Sequence, residues 1–252
     1  RINQAQLPLN RLTGVMFTHF HSDHIAGLAD VNLGSWVGGR QASLNVYGPE
    51  GVATVVEGFN TAYRLDRGYR IAHHGVELLP PAAGPMTAQT FEPGVVWQDD
   101  TMTVTSFLVD HHPIHPAVGY RFDYKGRSVV ISGDTSASDN LFAAAENADV
   151  VFHDALARRS LDIMGGSMAE AGRPRIAQIV TDVIDYHADS LTLEDAANAA
   201  GVKQLVLYHL VPTPMNDLTE DMFMRGLSGT TILARDLQTF SLPPNSKEII
   251  IR

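Results

Sequence analysis

The sequence predicts an α/β protein, because short apolar strands alternate with amphipathic helices along its 252 residues. Hydrophobic residues make up 44% of the chain and charged residues only 18%, which supplies enough apolar surface for a substantial core. Several of the apolar segments end in histidine or aspartate, and α/β proteins place their chemistry at such strand ends. These observations favour a protein whose functional residues lie at one edge of a sheet.

Composition argues against several classes of function, and it leaves open a local basic pocket on an acidic protein. The net charge is −10 with histidine neutral, and no Lys/Arg cluster exceeds the pair Arg158-Arg159, which argues against a nonspecific nucleic-acid binder. No apolar run approaches the twenty residues of a membrane span, so we expect no membrane partner. The chain has no cysteine and therefore no disulfide, thiolate site or cysteine nucleophile. The compartment stays open: cytoplasmic, or periplasmic or secreted if an N-terminal signal was removed.

The first predicted strand, residues 14–17, leads into the segment His19-Phe20-His21-Ser22-Asp23-His24. Apolar residues at helical spacing follow it, and Asp23 is placed to cap that helix. Three imidazoles and one carboxylate within six residues suit a borderline cation such as zinc. A histidine-rich surface loop is the alternative, but this spacing is improbable by chance. The segment therefore predicts a metal site.

A strand at 44–47 and an amphipathic helix at 50–63 come next. The glycine- and proline-rich residues 64–93 predict a long loop, and the glycine- and methionine-rich residues 160–172 predict another. We expect both loops to form the wall of a substrate pocket. His73 and His74, in the first loop, are expected to be exposed or capping residues.

Three later strands also end at residues that bind metals. These are His111 after strand 101–109, Asp134 after strand 127–132, and His209 after strand 204–208. A further strand is predicted at 118–124 and forms a hairpin with 127–132. The remaining predicted elements are helices at 141–148, 174–187, 193–200 and 219–227, and strands at 150–152, 230–234 and 237–241. We expect Thr192 to cap the helix at 193–200. The recurrence of ligand-type residues at strand ends predicts metal binding more strongly than any single motif.

The candidate metal ligands are His19, His21, Asp23, His24, His111, Asp134 and His209. His19 and His21 lie two apart on extended backbone, so they point to the same side and can share one metal. Asp23 and His24 can serve a second metal, His111 and His209 can complete the two sets, and Asp134 can bridge. Two divalent cations about 3.5–4 Å apart form a hydrolytic site in which water attacks.

This series of motifs resembles the metallo-β-lactamase superfamily over about residues 14–212. The resemblance implies a four-layer αβ/βα sandwich as one hydrolase domain over residues 1–252. Only 18 residues precede the first histidine, so we expect the N-terminal strands to be short or missing. The resemblance also implies two Zn²⁺ ions, with Mn²⁺ or Fe²⁺ as alternatives. Its ligand sets are His19, His21 and His111 for one ion and Asp23, His24 and His209 for the other, bridged by Asp134.

Asp134 in the motif Ser-Gly-Asp-Thr, and His187 ahead of Asp195-Ala196, resemble the ribonuclease Z-like branch, which also contains arylsulfatases and other phosphodiesterases. The resemblance implies that His187 protonates the leaving group. The alternative is a histidine stabilised by a helix C-terminus. We expect a metal-bridging hydroxide to attack a phosphodiester or sulfate ester, with Asp23 orienting or deprotonating it.

Enzymes of this branch that process tRNA carry a tRNA-gripping arm between the positions of His111 and Asp134, and only 22 residues separate these two here. Together with the acidic charge, this favours a small-molecule ester substrate and makes tRNA an unlikely partner. A homodimer is possible by resemblance. The alternatives are a lactonase or β-lactamase-like hydrolase, and a non-catalytic metal-binding protein.

The roles of four further residues stay open at this point. His112 and His115 either line the pocket or flank a proline-rich turn. His153 and Asp154 either orient a ligand histidine or simply end a strand, and the structural interpretation is favoured.

Overall fold

The computed structural model describes Ile2 and residues 4–252. The chain forms two compact units, Arg1–Glu92 and Pro93–Arg252. Both units combine helices with a sheet, so the predicted α/β class is confirmed. The expectation of one domain over residues 1–252 stays a prediction. Among the described residues, no helix is long and apolar enough to cross a membrane.

The first unit has three parallel strands in the order β1-β2-β3. They are β1 Gly14–Met16, β2 Leu44–Gly48 and β3 Met86–Thr90. Its helices are α1 Ser22–Ile25, α2 Leu28–Val37, α3 Val52–Ala62 and α4 Arg64–His74. Strand β2 is central, so its alternate residues Leu44 and Val46 are fully buried, and Val52 and Val56 of α3 pack into the same core.

Two predictions for the first unit are wrong. Residues 64–93 do not form one long loop, because they include α4 and β3. Helix α4 is held at the protein surface through Ile71, which packs against the buried cluster of Trp36, Leu79 and Ala83. Asp23 does not cap a helix: it lies inside α1, and the N-cap is His21 without a side-chain hydrogen bond.

The second unit contains a seven-stranded mixed sheet in the order β10-β9-β8-β7-β6-β5-β4. Its strands are β4 Gly94–Gln98, β5 Met102–Leu108, β6 Val118–Tyr124, β7 Arg127–Ile131, β8 Val150–Leu156, β9 Gln204–Val211 and β10 Ile232–Leu233, and β11 Phe240–Ser241 pairs separately with β12 Ile250–Ile251. Strands β7 to β10 are parallel, and β4 to β7 are joined by antiparallel pairings. Strand β5 therefore runs in the same direction as β7, β8 and β9, and the carboxyl ends of these four strands lie at one edge.

The helices of the second unit are α5 Asp139–Ala144, α6 Arg158–Glu170, α7 Pro174–Asp182, α8 Ser190–Ala199 and α9 Asp217–Met224. The loop predicted over residues 160–172 is wrong, because these residues belong mainly to α6. Leu161 of α6 packs on Leu156 and Val180 in a buried cluster, which stabilises the helix despite its glycines. The cap of α8 is Asp189, whose carboxylate accepts the Leu191 N–H, and not Thr192.

Candidate metal and catalytic site

The first unit presents its histidines immediately after β1. Phe17 donates its N–H to the Tyr47 carbonyl, which extends the pairing up to the motif. His19 is fully buried, and Thr18 Oγ1 lies 3.1 Å from its Nδ1. His19 Nε2 lies 3.1 Å from His21 Nδ1. Two nitrogens bound to one tetrahedral zinc at about 2.0–2.1 Å would be separated by about 3.3 Å. The pair is therefore spaced to share an ion.

Asp23 and His24 form a second pair in the first unit. Asp23 Oδ2 lies 3.4 Å from His24 Nε2, and the His24 ring centroid is 4.1 Å from that of His19. The Asp23 side chain is 63% exposed, so its carboxylate remains accessible to solvent. Short helix α1 turns this pair towards His19 directly after the extended segment.

The second unit gathers its candidate ligands at the edge where β5, β7, β8 and β9 end. A ligand atom of Asp134 lies within 4.8 Å of one from His111, and likewise of one from His209. The separation of His209 Nε2 from Asp134 Oδ2 is 3.5 Å. The carboxylate thus lies near both imidazoles, which is the position that a bridging ligand requires.

Local backbone geometry aims these side chains. Gly133 has a φ of 67°, so the turn that presents Asp134 uses a left-handed conformation that glycine adopts without strain. His209 has a φ of 46° and lies where the β8–β9 register shifts, between Tyr208 and Leu210. Bulges of this kind redirect a side chain next to functional sites, and left-handed non-glycine residues concentrate there.

A backbone carbonyl orients His111. Its Nδ1 lies 2.9 Å from the carbonyl oxygen of Tyr186 and donates to it, which leaves Nε2 to bind a metal. His111 is 1% exposed. The same segment, Tyr186-His187, therefore contacts a candidate ligand and carries the candidate leaving-group acid.

His187 is held by Asp154. Its Nδ1 lies 2.7 Å from Asp154 Oδ2, and both side chains are buried. The opposite oxygen of Asp154 accepts the N–H of Thr135, next to Asp134. The His187 ring stacks on His209, with centroids 5.4 Å apart and planes 20° apart. His187 therefore belongs to the cluster at this edge, with Nδ1 committed to Asp154 and Nε2 available for proton transfer.

For Asp154, the sequence favoured the interpretation that the residue simply ends a strand. Its place at a strand end was visible in the sequence, but its contact with His187, 33 residues away, was not. His153 is fully buried, stacks on Phe142 and directs Nδ1 to the Asp154 carbonyl, which is a structural role. His112 and His115 are exposed after β5, and His73 and His74 are exposed at the end of α4.

The chemistry of this edge suits a divalent cation. Tyr208 of β9 is partly buried, and burial raises the pKa of its hydroxyl, with the charges of Asp154 and Asp134 raising it further. The carboxylates therefore create a negative potential inside the protein, which a bound cation would offset. Imidazole and carboxylate donors without cysteine fit zinc, manganese or iron.

Comparison with known proteins identifies the family. A family model described as a beta-lactamase superfamily domain matches residues 2–210. The chain belongs to the metallo-β-lactamase superfamily. It is a metal-dependent hydrolase, and the fold implies binding of a divalent metal. This excludes the alternative of a non-catalytic metal-binding protein.

Curated relatives confirm the resemblance to the ribonuclease Z-like branch. The chain is 39% identical over 204 residues to a ribonuclease Z of Mycobacterium bovis (strain BCG / Pasteur 1173P2). The aligned region covers 80% of this chain and 68% of the relative. A ribonuclease Z of Mycolicibacterium gilvum (strain PYR-GCK) is 35% identical over 207 residues, with 81% of this chain and 68% of that protein covered.

Solved structures share the fold. Human tRNase Z, short form, matches with a TM-score of 0.63 and 19% identity, over 96% of this chain and 83% of that one. The metallo-beta-lactamase fold protein YhfI from Bacillus subtilis matches with a TM-score of 0.61 and 19% identity, over 91% of this chain and 78% of its own. The predicted metallo-β-lactamase fold is confirmed.

These relatives correct the prediction about partners. A small-molecule ester substrate was expected and tRNA was considered unlikely, and this is wrong because the curated relatives are ribonucleases Z. The prediction used net charge and the missing arm. Net charge sums the whole surface and does not detect a local basic region, and a missing arm removes one contact surface without removing the others.

Proposed function

We propose that this protein hydrolyses phosphodiester bonds in RNA, with transfer RNA as the substrate class. The observation that carries the proposal is the cluster of His111, Asp134 and His209 beside the pair His187–Asp154. The ribonuclease Z relatives, 39% and 35% identical, supply the substrate class. No observation favours a lactone or β-lactam over a phosphodiester.

The proposed metal ligands are His19, His21, Asp23 and His24 of the first unit, and His111, Asp134 and His209 of the second. The support is the spacing of the donors within each unit and a family match that spans residues 2–210. Seven donors are enough for two ions, and their chemistry favours zinc. Bound there, divalent cations would activate a water molecule and stabilise charge on the reacting phosphate.

The protein side chains then have separate tasks. The Asp23 carboxylate, which is exposed, can accept a hydrogen bond from the attacking water and orient it. Asp154 accepts the Nδ1 proton of His187 and fixes the ring, so that Nε2 can deliver a proton to the leaving oxygen. Ring stacking on His209 limits rotation of His187. The proton donor is thereby kept close to a proposed metal ligand without binding the metal itself.

The test is cleavage of a 3′-extended tRNA transcript by metal-reconstituted protein. Product length is followed on a sequencing gel, with a chelator-treated sample and a His187→Ala sample alongside. We expect chelator-sensitive cleavage at one position and a large loss in His187→Ala. A sulfate ester and a lactone serve as comparison substrates. Faster turnover of either of them, or no cleavage of the transcript, would overturn the proposal.

A further inference from the structure

A cavity in the second unit carries an unusual concentration of positive charge for this acidic protein. It has a volume of about 170 Å³ and lies between the starts of α6 and α8 and the end of α9. Arg158, Arg159 and Arg225 line it, and Asp189 is its single acidic residue. We name it the arginine cavity.

No residue in the described part of the chain forms an ion pair with an arginine of the arginine cavity. Among the described residues, the arginines in ion pairs are Arg70, Arg121, Arg127 and Arg235. The three arginines of the cavity are exposed and belong to none of these pairs. The Asp189 carboxylate is already occupied, because it accepts the Leu191 N–H at the start of α8. The cavity therefore offers guanidinium donors to a ligand from solvent.

The start of α6 lacks the capping and acidic side chains that usually stabilise a helix N-terminus, and an anion could take their place. Its N-cap is Ala157, which cannot accept a hydrogen bond through its side chain, and its first turn holds no acidic residue. Arg158 and Arg159 instead place two positive charges at the positive end of the helix dipole. A negatively charged ligand in the cavity would compensate for both departures at once.

Ser190 also lines the cavity, and its hydroxyl can donate or accept a hydrogen bond. Its position at the start of α8 makes Ser190 a donor for an oxygen atom of the same anion.

The arginine cavity adjoins the catalytic segment of the second unit. Ser190 follows His187 by three residues, so their Cα atoms are at most about 11 Å apart. Leu156, just before the cavity, donates its N–H to the carbonyl of Ala188 between them. A strand of RNA could therefore reach from His187 to the cavity within one to a few nucleotides. Exposed Ile163, Leu191 and Met222 also line the cavity and offer apolar contacts to a sugar or base.

We propose that the arginine cavity binds a backbone phosphate of the RNA substrate, a short distance along the strand from the bond that is cleaved. This inference rests on the proposed RNA hydrolysis. It assigns to Arg158, Arg159, Arg225 and Ser190 the role of holding a non-reacting phosphate. Such a contact is equally strong in the ground state and the transition state, so it affects KM and not kcat.

The test compares Arg158→Gln/Arg225→Gln with a matched control, Arg173→Gln/Arg175→Gln, which removes the same charge from exposed arginines outside the cavity. For tRNA cleavage we expect KM to rise about tenfold in the cavity variant, with kcat within about twofold of wild type. Bis(p-nitrophenyl) phosphate has no flanking phosphate, so its turnover should not change. An unchanged KM for tRNA, or an equal loss with both substrates, would overturn the inference.

Binding by chelator-treated protein separates this inference from the proposed activity. Anisotropy of labelled tRNA at several salt concentrations should show weaker binding by the cavity variant, with a salt slope reduced by about 1 or more. The control variant should retain the wild-type slope. If wild type does not cleave tRNA but this binding difference is observed, the proposed activity is refuted and the proposed role of the arginine cavity in binding tRNA is retained. If the cavity binds inorganic phosphate while tRNA binding is unaffected, the ligand is free phosphate and the inference fails.

Discussion

Asp154 Oδ2 lies 2.7 Å from His187 Nδ1, and neither side chain is exposed enough for water to compete well for this contact. The same carboxylate accepts the Thr135 N–H through its other oxygen. One buried aspartate thus links the turn that presents Asp134 to the histidine proposed as the acid. The positions of a candidate ligand and of the proton donor are therefore coupled.

This coupling predicts a non-additive pair of variants. His187→Ala should lower kcat for tRNA cleavage by about 10²–10⁴-fold with little change in KM. Asp154→Asn should also lower kcat, because the asparagine amide can donate to Nδ1 and favour the wrong tautomer of His187. The loss should not exceed that of His187→Ala, because asparagine keeps the shape of the aspartate side chain. The double variant should resemble His187→Ala alone. Multiplicative losses in steady-state kinetics would show that Asp154 does not act through His187.

Asp134 tests the metal centre independently of activity. Its carboxylate lies near both His111 and His209, so Asp134→Asn removes a negative charge from the middle of the donor set. We expect fewer metal ions per chain after dialysis, measured by plasma mass spectrometry, from about two in the wild type. Asp123→Asn is the control, because Asp123 is a surface residue paired with Arg121. A full metal complement in Asp134→Asn would contradict the bridging role.

Tyr208 supports the turn that carries Asp134. Its hydroxyl hydrogen-bonds with Ser132 and the backbone of Gly133, and burial raises its pKa, so it stays protonated at neutral pH. Tyr208→Phe removes these hydrogen bonds without changing charge, and should lower the free energy of unfolding by about 1–2 kcal/mol. Tyr124→Phe, at an exposed position, should change it by less than about 0.5 kcal/mol in the same urea titration. Equal effects would contradict a supporting role for Tyr208.

The strands, and the candidate ligands near their ends, could be predicted from the sequence because both signals are local. A buried strand is a short apolar run, and residues such as His111, Asp134 and His209 directly follow or end such runs. Helices α4 and α6 were missed because glycine, proline and methionine suggested loops. Tertiary contacts decide their structure: Ile71 anchors α4, and a Cβ at Gly165 of α6 would lie 3.6 Å from Val180 of α7. These partners are distant in sequence, as is Asp154 from His187.

Asp149 provides the last prediction, which concerns stability in acid. It is 2% exposed, and its carboxylate contacts the Arg127 guanidinium at 2.9 Å and the Lys203 ammonium at 2.5 Å. Burial alone would raise the pKa of Asp149, but hydrogen bonds from Arg127, Lys203 and the Ser128 N–H outweigh it and lower the pKa from 3.8 to about 2. Arg127 also donates to the carbonyls of Pro243 and Glu248, so the pair secures the C-terminal segment.

A folded-state pKa below the unfolded value means that the ionised carboxylate stabilises the fold. This stabilisation, roughly 2 kcal/mol, should be complete above about pH 4 and lost as the pH falls towards 2. Asp149→Asn leaves the buried Arg127 without its counter-ion, so we expect a loss of about 3–5 kcal/mol at pH 7 in urea unfolding. The difference in the free energy of unfolding from wild type should narrow between pH 4 and pH 2.

Asp123→Asn, which breaks a more exposed pair, should cost less than about 1 kcal/mol. A difference between wild type and Asp149→Asn that is constant from pH 7 to pH 2 would mean that ionisation of Asp149 does not contribute to folding.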